Sequence, residues 1–136
     1  MCVINDSVRS GGHSYICTSI KEGSLHIDLR NMDNVELVND SDSPTGIAAL
    51  LGPGGTWGSV HRKIPLTTFS YPHGQCKSVG VGGYLQGGGV NWLGTFNKYG
   101  YGAEHVLSMR AVLSDGRIAE VTPEKTNVSI LYYNLV

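Results

Sequence analysis

Residues 74–89 read GQCKSVGVGGYLQGGG, and six of the ten residues from Gly80 to Gly89 are glycine. Each ordered glycine is unfavourable by roughly 0.5–1 kcal/mol relative to alanine, so the run needs a compensating role. Buried glycine-rich backbone indicates a close approach to the main chain or turns at positive φ, and its bare N–H groups can form an anion-binding nest. A flexible linker is disfavoured by the apolar side chains in the run, which are Val79, Val81, Tyr84 and Leu85. The glycines alone leave a crossover packed against another strand as an equally good interpretation.

The length and charge of the chain limit its class. A chain of 136 residues with 40% hydrophobic and 15% charged residues is typical of one globular domain with its own core. Ten basic and eleven acidic residues give a net charge of −1, which argues against a nucleic-acid partner. No apolar run reaches the roughly 18 residues that a transmembrane helix needs, so no membrane partner is expected.

The cysteines and the N-terminus carry little information. Cys2, Cys17 and Cys76 are odd in number, so at least one has no internal disulfide partner. No CxxC pair occurs, and no second pair at ligand spacing lies near His73 and Cys76, so no metal site is expected. The first residues lack the basic and apolar regions of a signal peptide. The sequence does not indicate the cellular compartment. Secretion would require a signal peptide on the native N-terminus.

Short apolar runs predict strands separated by polar turns. The alternating run 25–29 is interpreted as a half-buried strand, and the continuous run 47–51 as a buried one. Two further strands are expected at residues 7–9 and 35–38. Residues 67–71 are interpreted as a strand or an extended segment.

The second half of the chain contains a hairpin signal. Asp115-Gly116 lies between the apolar runs 106–113 and 117–121, and Asp-Gly in that position is the strongest short hairpin signal. The two runs are therefore predicted to pair antiparallel.

One helix is predicted, from the N-cap Thr56 to about Lys63, because Pro65 cannot continue it. Many short strands, one or two short helices and two glycine-rich loops together predict an α+β domain.

Two nucleophilic side chains lie beside the two glycine-rich loops. His13 is part of RSGGHSY at residues 9–15, and Cys76 precedes Lys77, whose cation would stabilise a thiolate. Taken singly, a loop histidine bonded to backbone and an inert buried thiol are the commoner interpretations. Together, the imidazole and the sulfur indicate a cofactor with two electrophilic carbons. A flavin has such carbons in its benzenoid methyl group and the ring carbon nearby.

These segments resemble a known family. RSGGHS at residues 9–14 is similar to the pyrophosphate loop of FAD-linked oxidases of the berberine bridge enzyme-like group, within the vanillyl-alcohol oxidase or p-cresol methylhydroxylase (PCMH) type. Residues 74–89 resemble the second flavin segment of that group, and GPGGTW at 52–57 and KYG at 98–100 recur in the same order. The resemblance covers about residues 8–121.

The resemblance implies a role for each matching position. It implies FAD attached covalently through His13 to the flavin methyl group and through Cys76 to the ring carbon, as in bicovalent members. The backbone cradle of the pyrophosphate would be Ser10, Gly11, Gly12 and Ser14. The stretch that lines FAD would include Val79, Gly80, Gly83, Gly87 and Gly88. His13 and Cys76 are accordingly expected to face one cavity, a flavin ring system apart.

The resemblance also implies an enzyme larger than this chain. Residues 1–136 would be a partial FAD-binding domain, cut at both ends, without the substrate domain that supplies the catalytic base in the family. No catalytic residue is therefore assigned. The whole enzyme would oxidise a small alcohol, sugar or amine by hydride transfer, with oxygen as electron acceptor. Two alternatives stay open, a non-catalytic fragment that binds flavin weakly or not at all, and a phosphate-binding module without flavin.

The spacing after the glycine run departs from the family pattern. Eight residues, 90–97, separate Gly89 from Lys98, where about six are expected from the plant-like pattern.

Other titratable and aromatic side chains are given structural roles. His61 is expected to face out of its helix, His73 to serve a loop, and Tyr84 and Trp92 to pack.

Overall fold

A computed structural model describes residues 5–91, 100–113 and 115–122 of the chain. Two compact units are present, Met1–Glu104 and His105–Val136. The described residues form six strands, two α-helices and a 3₁₀-helix, which confirms the α+β class. Residues 90–97, where the spacing departs from the family pattern, lie mostly outside the described part, as does Trp92.

The first unit contains two separate two-stranded sheets. Strands β1 (Asp6–Arg9) and β2 (Leu25–Asp28) pair in parallel. Strands β3 (Val35–Asn39) and β4 (Ile47–Leu51) pair antiparallel. All four strands were predicted from the apolar runs.

The predicted burial of two of these strands is wrong. In β2, Leu25 is 59% exposed and Ile27 is 40% exposed, so neither face is half-buried. In β4, which was predicted to be buried, Leu50 is 52% exposed. The apolar patterns assumed a second layer over each sheet, whereas a two-stranded sheet leaves its faces open unless another element covers them.

Helix α1 (Trp57–Lys63) begins where its N-cap was predicted. The Thr56 hydroxyl accepts a hydrogen bond from the Ser59 backbone N–H, and the Ser59 hydroxyl accepts one from the Thr56 N–H, which completes a capping box. The helix ends at Lys63, as expected, and its C-cap Ile64 lies immediately before Pro65. Residues 67–71 form no strand, and Phe69 and Tyr71 pack partly buried against the core.

Helix α2 (Val81–Gln86) forms inside the glycine run, where no helix was predicted. Its apolar residues Val81, Tyr84 and Leu85 have the i, i+3, i+4 spacing of one helix face, and all three belong to or pack against the core. The core of this unit consists of five buried residues: Val35, Trp57, Val60, Ile64 and Val81. Tertiary packing therefore outweighs the low helix propensity of glycine here.

The second unit contains the predicted hairpin. Strands β5 (Met109–Val112) and β6 (Ile118–Val121) pair antiparallel, which confirms that expectation. Gly116 has φ of 83°, the left-handed conformation that the Asp-Gly pair supplies.

Among the described residues, no helix is long and apolar enough to cross a membrane, and no group of three His, Cys, Asp or Glu side chains could hold a metal ion.

Candidate functional site

The loop after β1 contains the first set of predicted site residues. Ser10 Oγ donates a hydrogen bond of 2.6 Å to the Pro53 carbonyl oxygen, which fixes the start of the loop. Gly12 has φ of 78°, a conformation that residues with a Cβ rarely adopt. The backbone N–H groups of Gly11, Gly12 and His13 donate no hydrogen bond within the described residues. Such unpaired groups on a turn suit an anion.

Ser14 closes the loop on its far side. Its hydroxyl shares a hydrogen bond of 2.7 Å with the Thr18 hydroxyl and also accepts one from the Thr18 backbone N–H at 3.2 Å. The Cys17 N–H donates to the Ser14 carbonyl oxygen at 3.3 Å. The Ser14 side chain is thus used for local structure, and the Cys17 side chain is exposed.

The two glycine segments contact each other through their main chains. A Cβ on Gly11 would collide with the Gly80 amide nitrogen and lie 2.7 Å from the Ser78 carbonyl oxygen. A Cβ on Gly80 would in turn collide with Gly11 N and Ser10 Oγ. The close approach predicted from the glycine run is confirmed, with the first loop as its neighbour.

Hydrogen bonds also hold the second segment against the start of α1. The Trp57 N–H donates to the Val79 carbonyl oxygen at 3.1 Å, and the Gly58 N–H donates to the Lys77 carbonyl oxygen at 2.9 Å. Val79 is partly buried beside the core. These bonds fix the backbone on both sides of Ser78.

The other glycines predicted to line a cofactor differ from Gly80. A Cβ on Gly83 or on Gly88 would meet no atom of the described residues within 4 Å, and Gly88 has φ of 95°. Gly87 caps the end of α2 and donates its N–H to the Gly83 carbonyl oxygen at 3.0 Å. Gly83 and Gly88 therefore leave space in front of the main chain, whereas Gly80 is already covered.

Two side chains singled out in the sequence, His13 and Cys76, meet on the hydroxyl of Ser78. Ser78 Oγ lies 2.8 Å from His13 Nε2 and 3.2 Å from Cys76 Sγ. The imidazole nitrogen and the sulfur are therefore no farther apart than the sum of these two distances. Sequence reasoning missed Ser78, because its only local signal is a spacing of two residues from Cys76, and His13 is 65 residues away.

The environment of Cys76 favours the thiolate. The Ser78 hydroxyl lowers the pKa of the Cys76 thiol most, followed by the backbone N–H of Ser78, with the N–H of Val79 contributing less. The sequence had indicated the cation of Lys77 as the stabilising group. The structure corrects this, since hydrogen-bond donors rather than a neighbouring charge shift the pKa.

Arg9 is a second residue to which sequence reasoning assigned no role. Its Nε is buried without a hydrogen-bond partner among the described residues. A Cβ on Gly12 would lie 3.3 Å from this atom, so the guanidinium adjoins the loop with the unpaired N–H groups. An unpaired buried guanidinium donor is unfavourable, and an anionic ligand would satisfy it.

An aromatic cluster lies around Trp57, at the start of α1. The ring of Trp57 packs edge-on against Tyr84, with centroids 4.9 Å apart, and His61 packs edge-on against His73 at 4.7 Å. Tyr71 stacks on Trp57 and donates its hydroxyl to the Ile64 carbonyl oxygen at 2.7 Å. The expectation that Tyr84 packs is confirmed.

Burial shifts the ionisation of this cluster. His61 does not face out of its helix as predicted, since it lies one turn after Trp57 and its Nε2 is buried without a partner among the described residues. Burial lowers the pKa of His61, with His73 and Lys77 adding repulsion. Burial also raises the pKa of Tyr84 to about 12.

Comparison with known proteins gives consistent matches. The model of a family described as "FAD binding domain" matches residues 4–122. A curated relative, berberine bridge enzyme-like D-2 of Nicotiana tabacum, is 38% identical over 119 residues, which are 83% of this chain and 20% of the relative. The chain spans only 14% to 22% of the curated relatives it matches.

Solved structures match the fold. The VAO-type flavoprotein MtVAO615 of Myceliophthora thermophila C1 has a TM-score of 0.80 and 31% identity, covering 96% of this chain and 24% of that one. Glucooligosaccharide oxidase of Acremonium strictum has a TM-score of 0.72 and 26% identity, covering 88% of this chain and 24% of that one. The FAD of that oxidase is a 6-S-cysteinyl, 8α-N1-histidyl FAD.

Proposed function

The chain belongs to the FAD binding domain family, and from this premise we propose that it is the FAD-binding portion of a flavin-dependent oxidoreductase. The expected resemblance to the berberine bridge enzyme-like group and the vanillyl-alcohol oxidase type is confirmed. The whole protein would oxidise a small alcohol, sugar or amine and pass electrons to oxygen. Because this chain spans about a fifth of its relatives, that activity is proposed for a longer protein.

The described residues around the first loop fit the pyrophosphate of an FAD molecule. The unpaired N–H groups of Gly11, Gly12 and His13 and the unsatisfied Arg9 Nε provide hydrogen-bond donors and positive charge for a pyrophosphate. Ser10 would hold this cradle through its bond to Pro53. A hydrogen bond to a charged group contributes about 1.5–3 kcal/mol, so a few such donors would offset the glycines.

The remaining predicted residues would act through their backbone. Among the described residues, Gly83 and Gly88 leave space through which a planar ring system could approach the main chain. Gly80 would act indirectly, by letting the two segments touch, and Val79 and Gly87 would fix the ends of the lining stretch. Ser14 would hold the cradle's far side through Thr18.

We assign the two covalent tethers to His13 and Cys76. The observation that carries this assignment is their convergence on Ser78 Oγ, at 2.8 Å and 3.2 Å. Both side chains are exposed, so both can reach a ligand. His13 Nε2 is engaged with Ser78, so Nδ1 is the nitrogen that would bond to the flavin. When bound, FAD would supply the electron-accepting ring that takes a hydride from the substrate.

The test is the mass of flavin retained by the protein after denaturation. Purified protein loaded with FAD is expected to stay yellow after acid precipitation and to yield one flavin that joins tryptic peptides 10–21 and 64–77. His13→Ala should leave the cofactor attached through sulfur alone, and Cys76→Ala through histidine alone. The double variant should release all flavin on denaturation while still binding some reversibly.

Cys17→Ala is the matched control, because Cys17 is an exposed thiol four residues after His13 with no assigned role. It should retain both attachments. Unchanged attachment in Cys76→Ala would remove the sulfur tether from the proposal. Failure of the loop variant Gly12→Val to weaken reversible FAD binding would count against the binding function itself.

A further inference from the structure

We infer that Ser78 is a positioning residue that relays a proton from Cys76 to His13, so that both nucleophiles are prepared together. The inference deepens the proposed function, since it concerns how the two tether residues become reactive. It rests on one hydroxyl placed 2.8 Å from His13 Nε2 and 3.2 Å from Cys76 Sγ. Both distances lie within the range for hydrogen bonds to nitrogen and to sulfur.

The relay balances without any further reactant. A serine hydroxyl donates one hydrogen bond and accepts two, so Ser78 can accept from the Cys76 S–H while donating to a neutral His13 Nε2. Transfer of both protons along this line leaves a thiolate, an intact hydroxyl and an imidazolium, and loss of the Nδ1 proton of this exposed imidazolium to water then leaves a lone pair on Nδ1. The sulfur keeps its electron pair, and no oxidant or reductant is consumed.

The surrounding groups favour the charge-separated state. After transfer, the Ser78 hydroxyl donates to the thiolate, and the N–H groups of Ser78 and Val79 also stabilise it, in keeping with the lowered pKa of Cys76. Two other ionisable side chains lie near the sulfur in the described residues. His13 is linked to it through Ser78, and Lys77 follows Cys76 in the sequence. The backbone carbonyl of Lys77 is fixed by Gly58, which anchors the segment next to the relay.

The other hydroxyls of the two loops do not compete for this position. Ser10 Oγ donates to the Pro53 carbonyl oxygen, and Ser14 Oγ is paired with Thr18. Among the described serines and threonines, Ser78 alone contacts both His13 and Cys76.

The test measures alkylation of Cys76 by iodoacetamide in the flavin-free 136-residue chain as pH is varied. Tryptic peptides 64–77 and 10–21 separate Cys76 from Cys17, so the exposed Cys17 serves as reference in the same sample. At pH 7 Cys76 should react faster than Cys17. Ser78→Ala should slow Cys76 about threefold, a modest effect because water competes for an exposed thiolate, and should move its pH profile upward.

Ser78→Thr should restore the wild-type profile, and His13→Gln should move it upward as Ser78→Ala does. The Cys76-to-Cys17 rate ratio should approach one in urea, which ties the effect to the folded chain. Superimposable Ser78→Ala and wild-type profiles would overturn the inference, as would a His13→Gln profile equal to wild type. Because no flavin is present, either result leaves the proposed FAD binding untouched.

Discussion

At the scale of single residues, Gly80 and Gly83 belong to one glycine run but have opposite surroundings. Gly80 faces the main chain of Gly11 and the hydroxyl of Ser10, whereas no atom in the described part of the chain lies within 4 Å of a Cβ on Gly83. Neither glycine has a positive φ, so crowding rather than backbone conformation separates them. The same substitution should therefore have opposite effects on stability.

Gly80→Ala should lower the free energy of unfolding by about 1–3 kcal/mol, because the methyl group would force two backbone segments apart. Gly83→Ala should raise it by roughly 0.5–1 kcal/mol, because alanine favours the helical conformation of α2. Urea denaturation of both variants measures the difference. If Gly83 also lines the cofactor, its alanine variant should be more stable and yet bind FAD more weakly. Equal losses in both variants would contradict the contact between the segments.

The sequence predicts His13 and Cys76 as site residues but not the residue that contacts both. Each stands out locally, one in a Gly-Gly-His loop and the other at the mouth of the glycine run. Their shared partner Ser78 depends on how a loop at residue 13 reaches a segment 65 residues later. That distance is set by tertiary packing, for which a single sequence contains no direct signal.

At the scale of elements, local chemistry predicted some boundaries well. The N-cap Thr56 and the Asp115-Gly116 turn were found because each acts on backbone groups a few residues away. Helix α2 was missed because six glycines in ten residues concealed the helical spacing of Val81, Tyr84 and Leu85. Glycine content argues against a helix, whereas burial of one helix face decides the structure.

The capping box of α1 offers a test at this scale. Thr56→Ala should lower the free energy of unfolding by about 1 kcal/mol, since the Ser59 N–H would lose its partner at the helix start. The effect should extend beyond α1, because the neighbouring Trp57 N–H anchors the second glycine segment through Val79. Thermal unfolding measures the loss.

Thr67→Ala is the control for this change. Thr67 is exposed in the turn after α1, and its side chain makes no hydrogen bond in the described structure. Its variant should unfold within about 0.5 kcal/mol of wild type. A Thr56→Ala loss no larger than that of the control would show that the cap contributes nothing.

At the scale of the molecule, the strands of both units leave large apolar side chains exposed. In the first unit, large apolar side chains on the strands are open to solvent, including Leu25, Ile27, Leu37 and Leu50. In the second unit, Ala111 and Val121 are buried, while Val112 and Ile118 are exposed. Apolar patterning predicted where the strands lie but overstated their burial, because it contains no information on which layer covers them.

The first unit depends on one cluster that unites α1, α2 and the segment before Cys76. Trp57 contacts Tyr84 from α2 and His73 from that segment, and His61 packs on His73. Three polar atoms of the cluster are buried without partners in the described part of the chain: Trp57 Nε1, His61 Nε2 and Tyr84 Oη. Protonation of His61 would place a charge among them.

The stability of the protein should therefore fall as the solution becomes mildly acidic. Burial first, then His73 and Lys77, lowers the pKa of His61 below its usual 6.5. Between that value and the lowered folded pKa the unfolded chain binds more protons, so the free energy of unfolding decreases as pH falls and levels off below the folded pKa. Asp28, whose pKa is about 2, loses its contribution only at much lower pH. His61→Phe should flatten the slope below pH 7 in urea titrations. If the free energy of unfolding of His61→Phe depends on pH as steeply as that of wild type, another group causes the acid sensitivity.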